Sequence, residues 1–152
     1  MFMFILQAIE NFALALIVGG GIVMAAAVRP LLSAKLAIST GSDVAPMFEE
    51  ISINAWNRYN RLALLSAAAL LIVDVIRVLT RLSSAYWHLA LAFLMLAALI
   101  GKLAVDKQLK QRLNAYAADA VGSKEQNAGH RLVERLTKLI LVIALLLVVL
   151  PE

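Results

Sequence analysis

Cysteine is absent from the 152 residues. Disulfides, covalent c-type haem attachment and thiolate metal sites are therefore excluded, and imidazole and oxygen remain as the only ligands for a metal. Charge is scarce too: Asp, Glu, Lys and Arg make up 16% of the chain, against about 25% in ordinary soluble domains. Histidine occurs only twice. No Walker loop, dinucleotide fingerprint, zinc-protease pair or nucleophile elbow can be found.

What the chain has instead is apolar surface: 62% of residues are hydrophobic and the mean hydropathy is +0.87. Such a composition belongs to a membrane protein. At about 20 residues per spanning helix, four helices use up nearly the whole length. The expected fold class is all-α, an integral membrane four-helix antiparallel bundle in a single domain, with spans at about 4–28, 62–82, 84–105 and 131–150.

The chain is organised around residues 46–121. Two apolar runs, Leu62 to Leu79 and Ala85 to Val105, are joined through Arg81, Leu82, Ser83 and Ser84. Each continues on its far side as a polar extension, Pro46 to Arg61 and Asp106 to Val121. A hairpin would set these extensions side by side outside the membrane, each roughly 24 Å long. Ile51, Ala55, Tyr59 and Leu62 recur at helical spacing on one face of the first, opposite Glu50, Asn54, Asn57 and Arg61. Val105, Leu109, Leu113, Tyr116 and Ala120 form a stripe on the second. So narrow a stripe needs a partner, either the first extension or the membrane surface.

Before this hairpin, Phe2 to Val28 reads as a retained helix. It lacks a positive leader, and Glu10 and Asn11 interrupt the apolar run a signal peptide would need. Gly19, Gly20 and Gly21 offer small-residue spacing for close helix contact. Arg29 and Pro30 are expected to end this helix. Leu31 to Ile38 would follow as a semi-apolar connection, then turn chemistry from Ser39 to Asp43 with Thr40 and Gly41 in it. Pro46 suits a first helical turn. Ser83 and Ser84 are candidate caps for the third helix, with Tyr86 and Trp87 as its interfacial belt. Gly122 to Gly129 reads as loop, and the fourth helix is expected from about Arg131 to Pro151, with Glu134 and Lys138 one turn apart.

The net charge of +4 is unevenly spread. Of the 14 lysines and arginines, all but Arg77 and Arg81 fall in the first and third connections or the helix ends beside them. The positive-inside rule explains this excess without a nucleic-acid partner. It implies a bacterial inner-membrane protein with both termini outside and both extensions in the cytoplasm. Arg58, Arg61, Arg135 and Lys138 form a basic collar facing anionic lipid.

Ionisable groups inside a span are costly and tend to turn inward and pair. Glu10 and Asp74 each lie roughly 12 Å from the outer face, Arg77 about one turn shallower, and Asn11 shares their layer. A buried cluster is therefore expected in which Asp74, Glu10 or both neutralise Arg77. It would be either a site for a proton, cation or small ligand, or a structural ion pair that fixes helix register. His88, near the outer end of the third helix, is an interfacial residue or a lone ligand for haem b. His130 lies about a membrane thickness away, so one haem cannot take both.

Gly20 to Leu32 (GGIVMAAAVRPLL), Phe48 through Tyr59 and Leu62, and Gly129, His130 and Arg131 before an apolar last helix resemble the four-helix membrane domain of unknown function numbered 4149. Its animal members include the transmembrane protein 205 type. The resemblance implies the same fold and marks Pro30, Tyr59, His130 and Arg131 as motif positions; the family has no agreed activity to carry over. A looser similarity links the architecture to copper-resistance D proteins and to small haem-binding protoporphyrinogen oxidases, whose histidine arrangement is not matched here. The sequence thus supports an accessory or small-solute and ion-handling membrane protein, with membrane lipids, further copies of itself or a larger complex as partners. The competing class is a haem or redox bundle.

Overall fold

The computed structural model describes residues 1–39, 42–82 and 86–150. Among them every regular element is helical and no strand occurs. Four rods are formed: α1 (Phe2–Ser39), α2 (Ala45–Leu79), α3 (Tyr86–Tyr116, followed by a 3₁₀ turn at Ala117–Asp119) and α4 (Lys124–Val149). Successive rods pack antiparallel and α4 closes the ring on α1, so the chain is an all-α bundle. One end gathers the start of α1, the end of α2, the start of α3 and the end of α4, and is called the terminal end below. The other is the extension end.

The inner seam is built from small residues. Ala13, Ala63, Ala67, Ala92, Ala98 and Ala144 are buried there with Ile17, Leu70, Met95 and Leu99. Large apolar side chains point outward instead: Leu65 is 70% exposed, and Ile72, Phe93, Ile100 and Val142 are likewise on the outside. Lipid tails solvate leucine as well as a protein core does, so membrane helices associate through small residues that let backbones approach. α1, α2 and α3 are long and apolar enough to cross a membrane. The fourth expected span differs, because Glu134, Arg135 and Lys138 fall within it and leave only Leu139 to Leu150 unbroken.

At the extension end the two extensions do pack on each other. Ile53 of α2 meets Leu109 and Leu113 of α3, joined by Ala120 and by Val133 of α4. Lys110 donates to Asn54 at 2.9 Å. Tyr116, expected in this stripe, is 65% exposed, because α3 ends there. Ala117 takes a positive φ of 43° and turns the chain away.

Three further expectations need correction. Arg29 and Pro30 do not end the first helix. The chain passes through a π turn at Met24–Val28, where the Arg29 N–H bonds the Met24 carbonyl five residues back, and continues helical to Ser39. A proline inside an α-helix lacks one donor and clashes with the carbonyl four residues earlier. One inserted residue widens the turn before Pro30 and lets the helix run on through Leu31 to Ile38. Next, most of the expected Gly122–Gly129 loop is helix. Only Gly122, with φ +78°, turns the chain, and α4 begins at Lys124 because the Ser123 side chain accepts the Gln126 N–H at 3.2 Å. Finally, Ile51 and Leu62 face outward, and the inward stripe of α2 carries Glu49, Ile53, Asn60 and Ala63. Thr40, Gly41, Ser83, Ser84, Ala85 and Pro151, which figured in the expected turns, caps and ends, lie outside the described residues.

Candidate functional site

The terminal end of the bundle holds a buried ionic cluster. Arg77, near the end of α2, places Nη1 2.6 Å from Glu10 Oε2 of α1 and donates from Nη2 to Gln7 Oε1 at 3.1 Å. Asp74, one turn earlier on α2, holds the imidazole of His88 from α3, with Nδ1 2.9 Å from both carboxylate oxygens. His88 Nε2 lies 3.5 Å from Glu10 Oε1. Helical spacing makes this possible: Asp74 and Arg77 share one face of α2, while Glu10 and His88 lie in the buried stripes of α1 and α3. Two carboxylates, one guanidinium and one imidazole thus close a ring across three helices.

Of the expected members, Glu10, Asp74 and Arg77 come together, and Asn11 does not. It sits on the exposed side of α1, where Gln7 donates to its carbonyl at 3.3 Å. His88 is no interfacial residue: it is 2% exposed, with Trp87 edge-on to it and more open. Both of its ring nitrogens face carboxylates. Nδ1 is held by Asp74, while Nε2 makes no hydrogen bond among the described residues. Beside the cluster a groove of about 650 Å³ opens between α1 and α4, lined by Gln7, Glu10, Asn11, Leu14, Ala15 and Leu147 among others. Glu10 is the cluster's contact with that groove.

Deeper in the bundle the glycine run has a specific partner. Tyr59 donates its hydroxyl to the Ile17 carbonyl at 2.7 Å, and its ring lies against Gly20 and Gly21. A Cβ at Gly20 would fall 2.7 Å from the ring, and one at Gly21 2.6 Å from Leu141 and 2.9 Å from the Tyr59 oxygen. Gly19 meets nothing within 4 Å.

A second polar layer, which the sequence reading did not anticipate, lies toward the extension end. Lys102 was counted among the basic helix ends, yet it is 0% exposed. Its ammonium rests over the Trp56 ring at 4.3 Å, with Tyr59 at 5.7 Å, and has no hydrogen-bond acceptor among the described residues. Asp106, one turn further along α3, accepts from the Asn60 amide at 2.6 Å. The available signal was the inward stripe of α3, Leu99, Lys102, Asp106, Leu109 and Leu113, in which two charges recur at core spacing.

Further out, in the extensions and beyond the spanning run of α2, Gln126 donates to Glu49 at 2.5 Å and His130 Nε2 lies 3.1 Å from the same oxygen. Burial pushes the Glu49 carboxyl up, but His130 and Gln126 outweigh it and hold it below its ordinary value. Arg131 is exposed, as are the collar residues Arg58, Arg61 and Arg135. Lys138 pairs with Glu134 at 3.0 Å, and Arg29 of α1 reaches the same carboxylate at 2.8 Å. Pro30 stands two residues after the π turn. Compared with family models, curated proteins and solved structures, the chain matches none.

Proposed function

We propose that this membrane bundle handles a proton or small cation at the ring formed by Glu10, Asp74, Arg77 and His88. The observation that carries the reading is the position of His88, its two nitrogens turned to two carboxylates of which only one is paired with Arg77. Two carboxylates against one guanidinium leave one negative charge in a spanning segment, and one added proton or monovalent cation cancels it. The groove beside Glu10 supplies the approach from the flank of the bundle. The skewed distribution of lysine and arginine supports an inner-membrane orientation with both termini outside, and the outward-facing Arg58, Arg61 and Arg135 support contact with anionic lipid. Membership of the family with the domain numbered 4149 is part of the same proposal and rests on the sequence resemblance at Pro30, Tyr59, His130 and Arg131.

The test is flux. Purified protein is reconstituted in vesicles carrying an internal pH dye, and a potassium diffusion potential is imposed. Proton entry above protein-free vesicles is expected for the wild type and is expected to be lost in Asp74→Asn and His88→Phe. Sodium and potassium uptake measured in parallel identifies a cation as the cargo. Neither proton nor cation movement, or movement that both variants retain, would make the ring a structural clasp and end the reading.

A further inference from the structure

At the extension end, apart from the ring of Glu10 and His88, a cavity of about 250 Å³ lies between α1 beyond its π turn and the other three helices. Its walls are largely apolar, with Leu32 and Leu36 of α1, Trp56 of α2 and Val133 and Leu141 of α4, and Asp106 of α3 forms part of them. A cavity of ~150 Å³ takes up benzene, so this one has room for a ring with a short polar arm.

The charges around the cavity are not equally provided for. Arg29 and Lys138 share Glu134 at 2.8 and 3.0 Å, and His130 is held by Glu49 at 3.1 Å. Asp106 is 2% exposed, and its one hydrogen-bond partner among the described residues is the neutral amide of Asn60. The nearest cation along α3, Lys102, does not come within ion-pair distance, because its ammonium lies on the Trp56 indole. Lys102 and His130 act on Asp106 only from beyond ion-pair distance; a buried carboxylate without a direct ion pair is costly, and an opposite charge brought beside it is the remedy. The cavity is the space from which that charge can arrive.

From this geometry we infer that the cavity is a binding site for a small amphipathic ammonium ion, an amine on a compact apolar body, whose nitrogen pairs with Asp106 while its carbon framework lies against Trp56, Leu36 and Val133.

The experiment uses Trp56 as the reporter. The chain has two tryptophans, so a Trp87→Phe background leaves Trp56 as the single emitter, at the cavity wall. Full-length protein in detergent is titrated with phenethylammonium, 2-phenylethanol and 3-phenylpropanoate, which share an apolar body and differ in the charge of the polar group. The ammonium is expected to bind tightest. Asp106→Asn is expected to weaken it by about ten- to a hundredfold, the loss of one charge-assisted contact, while leaving the alcohol little changed. Ser52→Leu, which adds bulk to the cavity wall and keeps the carboxylate, is expected to exclude all three probes even if Asp106→Asn proves unstable. Tighter binding of the carboxylate would assign the cavity to Arg29 and Lys138 and overturn the inference. Binding of none of the probes to the wild type, or ammonium binding that survives both variants, would overturn it equally.

Discussion

Glu10 of α1 and Arg77 of α2 meet at 2.6 Å with 5% and 1% of their side chains exposed, one helix apart in the ring and far apart in sequence. Removing either partner alone breaks a buried ion pair from one side, a loss of about 3–5 kcal/mol. Glu10→Gln and Arg77→Met are each expected to lower the melting temperature in detergent markedly. The double variant Glu10→Leu with Arg77→Met replaces the pair by apolar groups and is expected to recover most of that loss. Scanning fluorimetry on all three variants checks this, and single variants that melt with the wild type would refute it.

The glycines of α1 separate into two roles that a stability series can resolve. Gly21→Ala sets a Cβ 2.6 Å from Leu141 and 2.9 Å from the Tyr59 oxygen, and overpacking of this kind costs about 1–3 kcal/mol. Gly19→Ala meets open space and gains helix propensity, so it is expected to be neutral or slightly stabilising. Tyr59→Phe removes the bond to the Ile17 carbonyl at about 1 kcal/mol. Equal effects of Gly19→Ala and Gly21→Ala would contradict the observed seam.

The ionic ring was largely legible in the sequence because Glu10, Asp74 and Arg77 sit within apolar runs, where a charge must turn inward. The Lys102 and Asp106 layer was not, since a lysine near the end of a spanning run reads as one that reaches out to water. Here the same long stem bends toward the indole of Trp56 instead. The inward face of α2 was not legible for a related reason. Periodic apolar residues mark the inside of a soluble helix, whereas in lipid Leu62 and Leu65 belong outside, and Glu49 and Asn60 turn inward to polar partners. The Gly122–Gly129 segment had loop composition, but Ser123 with Gln126 three residues on was a helix-start signal within it.

Pro30 offers a test of how the extension-end cavity is built. The π turn before it inserts one residue, which advances everything beyond by roughly 100° around the helix and 1.5 Å along it. Pro30→Ala restores the missing donor and removes the clash, so the turn is expected to relax to α-helix and rotate Arg29 away from Glu134. The chain contains no cysteine, so cysteines introduced at Lys35 and Arg131 carry the only spin labels. A shift in their distance distribution between the wild type and Pro30→Ala is the expected result. An unchanged distribution would mean that packing on α2, and not the proline, fixes this segment.

Glu49 gives the extensions a defined response to acid. Its folded-state carboxyl lies below the ordinary value of 4.5, so the native state holds the ionised form more strongly than the unfolded chain does. The stabilisation is therefore fully present above that ordinary value and is lost as pH falls through the lower, folded one. In the protonated form the carboxyl no longer attracts His130 as a charge, and the link between α2 and α4 through Glu49, Gln126 and His130 weakens. Amide protection in the first turns of α2 and α4, taken relative to the intrinsic exchange rate at each pH, is expected to fall on acidification below 4.5 while the alanine seam stays protected. Glu49→Gln is expected to show the faster exchange already at neutral pH and to lose the acid response. If protection in the wild type falls uniformly along the helices, the response belongs to the whole bundle and not to Glu49.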